Sequence, residues 1–316
     1  MTNYVIGVDL GGTHLRAALV DETGQIIEQL KRKTMAELGV AGVINRLAEA
    51  VQEVLSHLPP QAQVLGVGAI APGPLDPFNG IVYQAPNLLG WENVPLADEL
   101  HQRLQLPVWI GNDANLAALA EHRFGAGRGY HHIIYITVST GIGGGIIVDN
   151  RLLLGSRGLA AEVGHMQIVP DGPRCGCGNR GCVEALASGP NIASEAAARL
   201  TNRGASMLQG LDRAPTTEEV VQAAREGDIL ALDVLARAGE FIGMAMANLV
   251  HLFNPQRFIL GGGVSNAGEM LFGPIRQTTQ ARTMSAYHST FDVVPAALGD
   301  EVGVLGAAAL ALSMAS

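Results

Sequence analysis

GVDLGGTHLRAALVD, residues 7–21, reads as an apolar strand, a glycine-rich turn and a return strand that closes on Asp21. ITVSTGIGGGIIVD, residues 136–149, repeats that plan and closes on Asp149. Short apolar runs on either side of a glycine-rich connection mark a β-hairpin. The match is loose, because the second turn sits nearer its closing Asp. A hairpin that recurs in both halves of a chain points to a duplicated α/β unit. Two such units facing each other make a cleft lined by both glycine-rich turns.

The segments around each hairpin fit that plan. Gln25-Ile26-Ile27 starts a third strand. Val40, Val43, Leu47, Val51, Val54 and Leu58 recur at helical spacing, and Pro59-Pro60 end that helix. Residues 64–70 and 108–110 read as strands, and 96–104 as a helix. A further helix runs from near Asp113 to about Phe124. In the second hairpin the strand is 133–140, the turn 141–145 and the return strand 146–148. Residues 190–200, 216–226 and 229–252 read as helices, the last apolar enough to be buried. Residues 258–260 form a strand leading into Gly261-Gly262-Gly263, followed by a helix at 267–283, a strand at 291–294 and a last helix at 301–312.

Composition limits the function. The chain has 316 residues and a net charge of −9, with the charges scattered. A nucleic-acid surface needs a basic footprint, so that class is argued against. Hydrophobic residues make up 48% of the chain, which excludes a disordered tail. The 40 glycines follow no collagen period, so they serve turns and close backbone approach. MTNYVIGVDL has no basic segment and Asp9 interrupts its apolar run, so no secretory signal is expected. The apolar stretch 302–312 is too short to span a membrane. The expectation is a soluble, cytoplasmic protein with no membrane partner.

Several clusters can carry chemistry. In Asp9-Leu10-Gly11-Gly12-Thr13 a strand delivers a carboxylate to a turn without side-chain bulk. Backbone N–H groups and Thr13 can then approach a phosphate, and Asp9 can hold Mg²⁺. An ordinary tight hairpin is the plain alternative. Ser139 to Gly145 repeats the physics with two added hydroxyls. Neither turn is a Walker A loop or has dinucleotide spacing. His165, Cys175, Cys177 and Cys182 use every cysteine of the chain. They match a closed, structural Cys₃His zinc site, with Gly176, Gly178 and Gly181 for tight turning. Three buried thiols beside an unrelated His is the alternative. Asn112-Asp113 sits at a strand-to-helix junction, where ligands bind in open sheets. Asp113 there is either a helix cap or a general base for a hydroxyl. Glu162 and Glu184 flank the knuckle, as ligands for sugar hydroxyls or as solvated surface charge.

Together, DLGGTHLR (9–16), GNDAN (111–115), TVSTGIGGGII (137–147), EVGHM (162–166) and CGCGNRGCVEALASG (175–189) resemble the ROK family of sugar kinases. PGPLDPFNGIVYQAPNLLGW at 72–91 resembles the start of the sugar pocket in its glucokinase branch. The resemblance implies a duplicated actin-like, ribonuclease H-like ATPase fold, with two α/β lobes around a cleft. It implies a small lobe of 1–111 plus 301–316 and a large lobe of 112–300 holding the knuckle at 165–182. It implies Asp113 as the base for the 6-hydroxyl of glucose. Asn87, Asn112, Asp113, Glu162, His165 and Glu184 then bind the sugar. Asp9, Gly11, Gly12, Thr13, Thr140, Gly141, Gly143 and Gly144 surround the phosphates of ATP, with Asp9 on Mg²⁺. Gly261 and Gly262 lie near the adenosine. His165 uses one ring nitrogen for Zn²⁺ and the other for sugar. A homodimer or homotetramer is implied too.

Two positions depart from the family pattern. His14 stands where Lys or Asn is frequent, and Gly111 where an acid is common. The family's repressors carry an N-terminal helix-turn-helix domain, and with the phosphate motif starting at Asp9 none is expected here. A kinase for N-acetylglucosamine, N-acetylmannosamine or fructose is the nearer alternative. A non-catalytic sugar sensor is the farther one.

Overall fold

β1 (Asn3–Leu10) and β2 (His14–Asp21) form the first hairpin, and β3 (Ile26–Lys33) extends it antiparallel to β2. The computed structural model describes residues 2–200 and 206–315. Helix α1 (Gly39–Leu55) buries Val43, Leu47, Val51 and Val54, the stripe its spacing predicts. Each such side chain contributes about 1.5–3 kcal/mol when fully buried. β4 (Gln63–Ile70) returns parallel to β1. A small antiparallel sheet that the sequence did not announce follows, made of β5 (Leu75–Asp76), β6 (Ile81–Gln84) and β7 (Glu92–Val94). Its strands are too short for a period to show. Helix α2 (Leu96–Leu104) leads to β8 (Val108–Gly111), parallel to β4.

After helix α3 (Asp113–Phe124) the plan repeats. β9 (Ile133–Val138) and β10 (Ile142–Val148) make the second hairpin, with β11 (Arg151–Leu152) outside it. Helices α4 (Val183–Ala187), α5 (Gly189–Leu200), α6 (Thr217–Arg225) and α7 (Ile229–Phe253) come next. β12 (Arg257–Gly261) is parallel to β9, and β13 (Asp292–Pro295), after helix α8 (Glu269–Arg282), is parallel to β12. Helix α9 (Val302–Met314) ends the fold. The sheets run β3-β2-β1-β4-β8 and β11-β10-β9-β12-β13. Each has its hairpin strands in reverse order and then two parallel strands, so the duplication is complete.

The C-terminal helix packs on the first sheet. A Cβ at Gly68 of β4 would stand 1.8 Å from the Ala307 carbonyl oxygen of α9. Only a strand without that side chain lets the helix backbone lie so close. Leu116 and Leu119 of α3 share a core with Ala307 and Ala309 of α9 and with Ile133, Ile147 and Ile259 of the second sheet. The α3–α9 pair thus joins the two sheets. Met1 and Ser316, the outer bounds of the expected small lobe, lie outside the described residues. No helix among the described residues is long and apolar enough to cross a membrane.

Candidate active site

The first turn is held from both flanks. The Gly11 N–H donates to the His14 carbonyl at 2.9 Å, and Thr34 closes the other flank. Thr34 is buried, donates its N–H to the Thr13 carbonyl at 2.9 Å and its hydroxyl to the Gly11 carbonyl at 2.7 Å. β1 carries Asp9 to the start of the turn. Arg16, one strand away, donates to Asp9 Oδ2 through Nε at 3.1 Å and Nη2 at 2.6 Å. Its Nη1 donates to the Asp300 carbonyl at 2.6 Å. Arg16 and Thr34 carried no signal of their own in the sequence, because their partners are 7 to 284 residues away. A Cβ at Gly12 would stand 3.0 Å from the Asn87 Cβ. Asn87, in the loop between β6 and β7, therefore leans on the first glycine-rich turn.

The strand-to-helix junction divides its labour. Asn112 is the cap of α3, its Oδ1 accepting the Asn115 N–H at 2.8 Å. Asp113 is therefore not the cap. It occupies the first helical position, exposed, with one carboxylate oxygen on the Ala114 N–H at 2.8 Å. A negative charge there is favoured by the helix dipole. Glu162 projects from a tight bend. Ala161 has φ 67°, Glu162 has φ −71° and ψ 60°, and the Val163 N–H donates back to the Ala161 carbonyl at 2.7 Å. That is an inverse γ-turn with Glu162 at its apex.

Strand β10 gathers these groups, because Gly143 faces Ala114, Gly144 faces Val163 and the Ile142 N–H donates to Glu184 Oε2 at 3.0 Å. The Glu162 carboxyl is pushed above the usual carboxylate range, chiefly because protein packed beside it strips its hydration. His165 opposes that shift, while the negative charges of Asp113 and Glu184 add to it. Asp113, Glu162 and Glu184 thus come to β10 from three separate segments, with Glu184 Oε1 4.0 Å from His165 Nδ1.

The second turn is shorter than its glycines suggest. Only Ser139, Thr140 and Gly141 connect β9 to β10, so the expected turn at 141–145 is corrected. Gly143, Gly144 and Gly145 are strand residues that face close neighbours. A Cβ on each would stand 3.0 Å from the Ala114 Cβ, 2.5 Å from the Val163 Cγ2 and 2.5 Å from the Ala118 Cβ respectively. Their lack of bulk seats α3, with Asp113 at its tip, and the Glu162 bend. Sequence alone could not separate this packing from a phosphate loop.

Beside the turn lies a cavity of about 650 Å³. Ser139 and Thr140, the start of α5 and the start of α6 line it, with Arg225 and Gly263. That volume suits a nucleotide-sized ligand. Of the third glycine run, Gly263 reaches the cavity, whereas Gly261 is buried beneath the Tyr135 ring. Gly262, at φ +83°, makes the bend between them and accepts the Ser265 hydroxyl at 2.6 Å on its carbonyl. Thr216 and Thr217 at the head of α6 went unnoticed in the sequence, where a capping box of Thr216 and Glu219 was the available signal.

The knuckle folds around its sulfurs. The Cys175 N–H donates to the Asn179 carbonyl and the Gly178 N–H to the Cys175 carbonyl, at 2.8 and 3.0 Å. Gly181 has φ +66°, and a Cβ there would lie 1.7 Å from the Val169 carbonyl oxygen. The ligand atoms of His165, Cys175, Cys177 and Cys182 all lie within 4.8 Å of one another. Cys177 Sγ and Cys182 Sγ are 3.8 Å apart, and Cys175 Sγ and His165 Nδ1 are 3.7 Å apart. A tetrahedron with Zn–S bonds of about 2.3 Å has edges of about 3.8 Å, so the donor set fits such an ion. Glu184 touches the same group, with Oε1 4.0 Å from His165 Nδ1 and 3.8 Å from Cys175 Sγ.

The duplicated sheets are those of the actin-like ATPase fold. The chain belongs to the ROK family, whose profile matches residues 5–314. It is 42% identical over 309 residues to a glucokinase of Thermotoga maritima, covering 97% of this chain and 96% of that one. It superposes on the ROK hexokinase of Thermus thermophilus with a TM-score of 0.87, at 34% identity, over 99% of this chain and 100% of that one. A ROK family glucokinase of Streptomyces griseus, crystallised with glucose and AMPPNP, matches with a TM-score of 0.79 at 39% identity, over 98% and 99% of the two chains.

Proposed function

We propose that this chain is an ATP-dependent glucokinase that phosphorylates glucose at its 6-hydroxyl. The observation that carries the reading is the gathering of the Asp113, Glu162 and Glu184 segments along β10, beside a nucleotide-sized cavity. Asp113 is the base. Its exposed carboxylate takes the proton as O6 attacks the γ-phosphorus. The O6–P bond forms, the bond from phosphorus to the bridging oxygen breaks, and ADP leaves. Asn87, Asn112, Glu162, His165 and Glu184 hold the sugar hydroxyls. The turns of Asp9, Gly11, Gly12, Thr13, Thr140 and Gly141 flank the phosphates, Gly143 and Gly144 shape the cleft behind them, and Gly261 and Gly262 place Gly263 at the adenosine.

Phosphoryl transfer asks mainly for alignment and charge neutralisation. Asp9 would serve the Mg²⁺ that accompanies ATP. His165, Cys175, Cys177 and Cys182 would hold a structural Zn²⁺, which orders the sugar-binding loop and does no chemistry. Residues 1–111 with 301–316 and residues 112–300 are the two lobes we assign, which the packing of α9 on the first sheet supports. Closure of the lobes would exclude water from the reaction. By family likeness we place the enzyme in the cytoplasm as a homodimer or homotetramer.

The test is ADP release from Mg-ATP with glucose, N-acetylglucosamine, N-acetylmannosamine, mannose and fructose. Glucose is expected to give the highest kcat/KM. A higher value for an N-acetylated sugar would overturn the choice of substrate. No turnover with any sugar would overturn the kinase reading.

A further inference from the structure

Glu184 does two things at once. Its Oε1 faces the knuckle, near His165 Nδ1 and Cys175 Sγ. Its Oε2 accepts the Ile142 N–H at 3.0 Å, at the point where the nucleotide-facing turn enters β10. The same segment grips the other end of that turn, because the Gly189 N–H donates to the Ser139 carbonyl at 2.8 Å. Across the turn itself the Ser139 N–H donates to the Gly141 carbonyl at 2.9 Å. The bare face of Gly141 makes the carboxylate contact possible, since a Cβ there would stand 2.6 Å from Glu184 Oε2. The first-turn glycine of this hairpin thus answers to Glu184 as well as to any phosphate.

We propose that Glu184 is a positioning residue for the nucleotide site, coupling sugar and knuckle on one side to the Ser139–Gly141 turn on the other. The inference rests on the kinase reading and goes beyond it. A carboxylate on a flexible side chain holds the Ile142 N–H only while its rotamer persists. A sugar hydroxyl bound to the carboxylate removes that freedom and fixes Oε2 on the turn. The turn is then ordered before nucleotide arrives, so glucose raises the affinity for nucleotide. By linkage, nucleotide raises the affinity for glucose by the same factor. Asn191 secures the arrangement from behind, donating from Nδ2 to the Glu184 carbonyl at 2.9 Å and to Ser188 Oγ at 2.7 Å.

Calorimetric binding of AMPPNP with Mg²⁺, with and without glucose, tests this in wild type, Glu184→Ala and Glu184→Gln. Hydrogen exchange of the Ile142 amide is followed in the same proteins, and it also reports that the variants are folded. In wild type glucose should tighten AMPPNP binding about 5-fold or more. Without glucose, Glu184→Ala should bind AMPPNP on the order of 10-fold more weakly and exchange the Ile142 amide faster. Glu184→Gln keeps an acceptor oxygen, so its glucose-free AMPPNP affinity and slow exchange should stay near wild type. Equal AMPPNP affinity of folded Glu184→Ala and wild type without glucose would overturn the inference. Failure of wild type to bind AMPPNP at all would overturn the kinase reading, and the inference with it.

Discussion

Replacing Gly145 by Ala tests whether the β10 glycines serve packing. The added Cβ would stand 2.5 Å from the Ala118 Cβ and 2.8 Å from the Ala114 carbonyl oxygen. Carbon atoms rest about 3.5–4.0 Å apart, so α3 and β10 must separate by about 1 Å. Overpacking of this kind costs about 1–3 kcal/mol. At roughly 2–4 °C per kcal/mol for a chain of this size, Tm should fall by roughly 2–12 °C. α3 carries Asp113 at its tip, so the shift also moves the base. A misplacement of about 1 Å can cost on the order of 10²-fold in turnover. The turn 139–141 keeps its ties to Glu184 and Gly189, so the KM for ATP should hardly change. Thermal melts and steady-state kinetics read both effects. A variant as stable as wild type, with a raised KM for ATP and an unchanged kcat, would refute the packing argument and restore the glycines to the phosphate loop.

Three more outcomes follow from the geometry. Arg16→Ala releases Asp9 Oδ2, so the Mg²⁺ concentration for half-maximal rate should rise while the KM for glucose stays put; an unchanged Mg²⁺ profile would count against the role of Asp9. The purified protein should carry about one zinc per chain, and Cys177→Ser should lose both the metal and glucose affinity; full glucose binding by metal-free protein would count against a structural zinc. At the head of α6, bonds from Arg213 hold the Glu219 carboxyl down at about 2, below its ordinary 4.5. A folded-state value below the unfolded one stabilises above the unfolded value and is lost as pH falls through the folded one. The Tm gap between wild type and Glu219→Gln should therefore be full at pH 7 and close between about pH 4.5 and about pH 2, and a gap that widens on acidification would contradict it.

The main elements were legible where periodicity was strong. α1 follows its apolar stripe, α7 its long apolar run, and both hairpins announce themselves by apolar strands around glycine. The knuckle was legible because cysteine chemistry is local in sequence. Three features were not. The strands β5 to β7 have four residues or fewer. A glycine against a helix looks the same in sequence as a glycine in a loop, which misplaced the second turn. The long-range anchors were silent as well. Arg16 reaches Asp300, and Glu121, fully buried, accepts the Ala126, Ala297 and Leu298 N–H groups to staple the end of α3 to the approach to α9. Nothing local marks a carboxylate that reaches the Ala297 N–H, 176 residues away.

The most direct measurement is the rate of glucose 6-phosphate formation by Asp113→Asn, with glucose and AMPPNP binding measured on the same sample. Asn112 caps the helix, so Asp113→Asn leaves the cap in place and keeps an oxygen for the Ala114 N–H. The account predicts retained binding of both ligands and a fall in kcat on the order of 10²-fold or more. Near-normal turnover by a folded Asp113→Asn protein would contradict it.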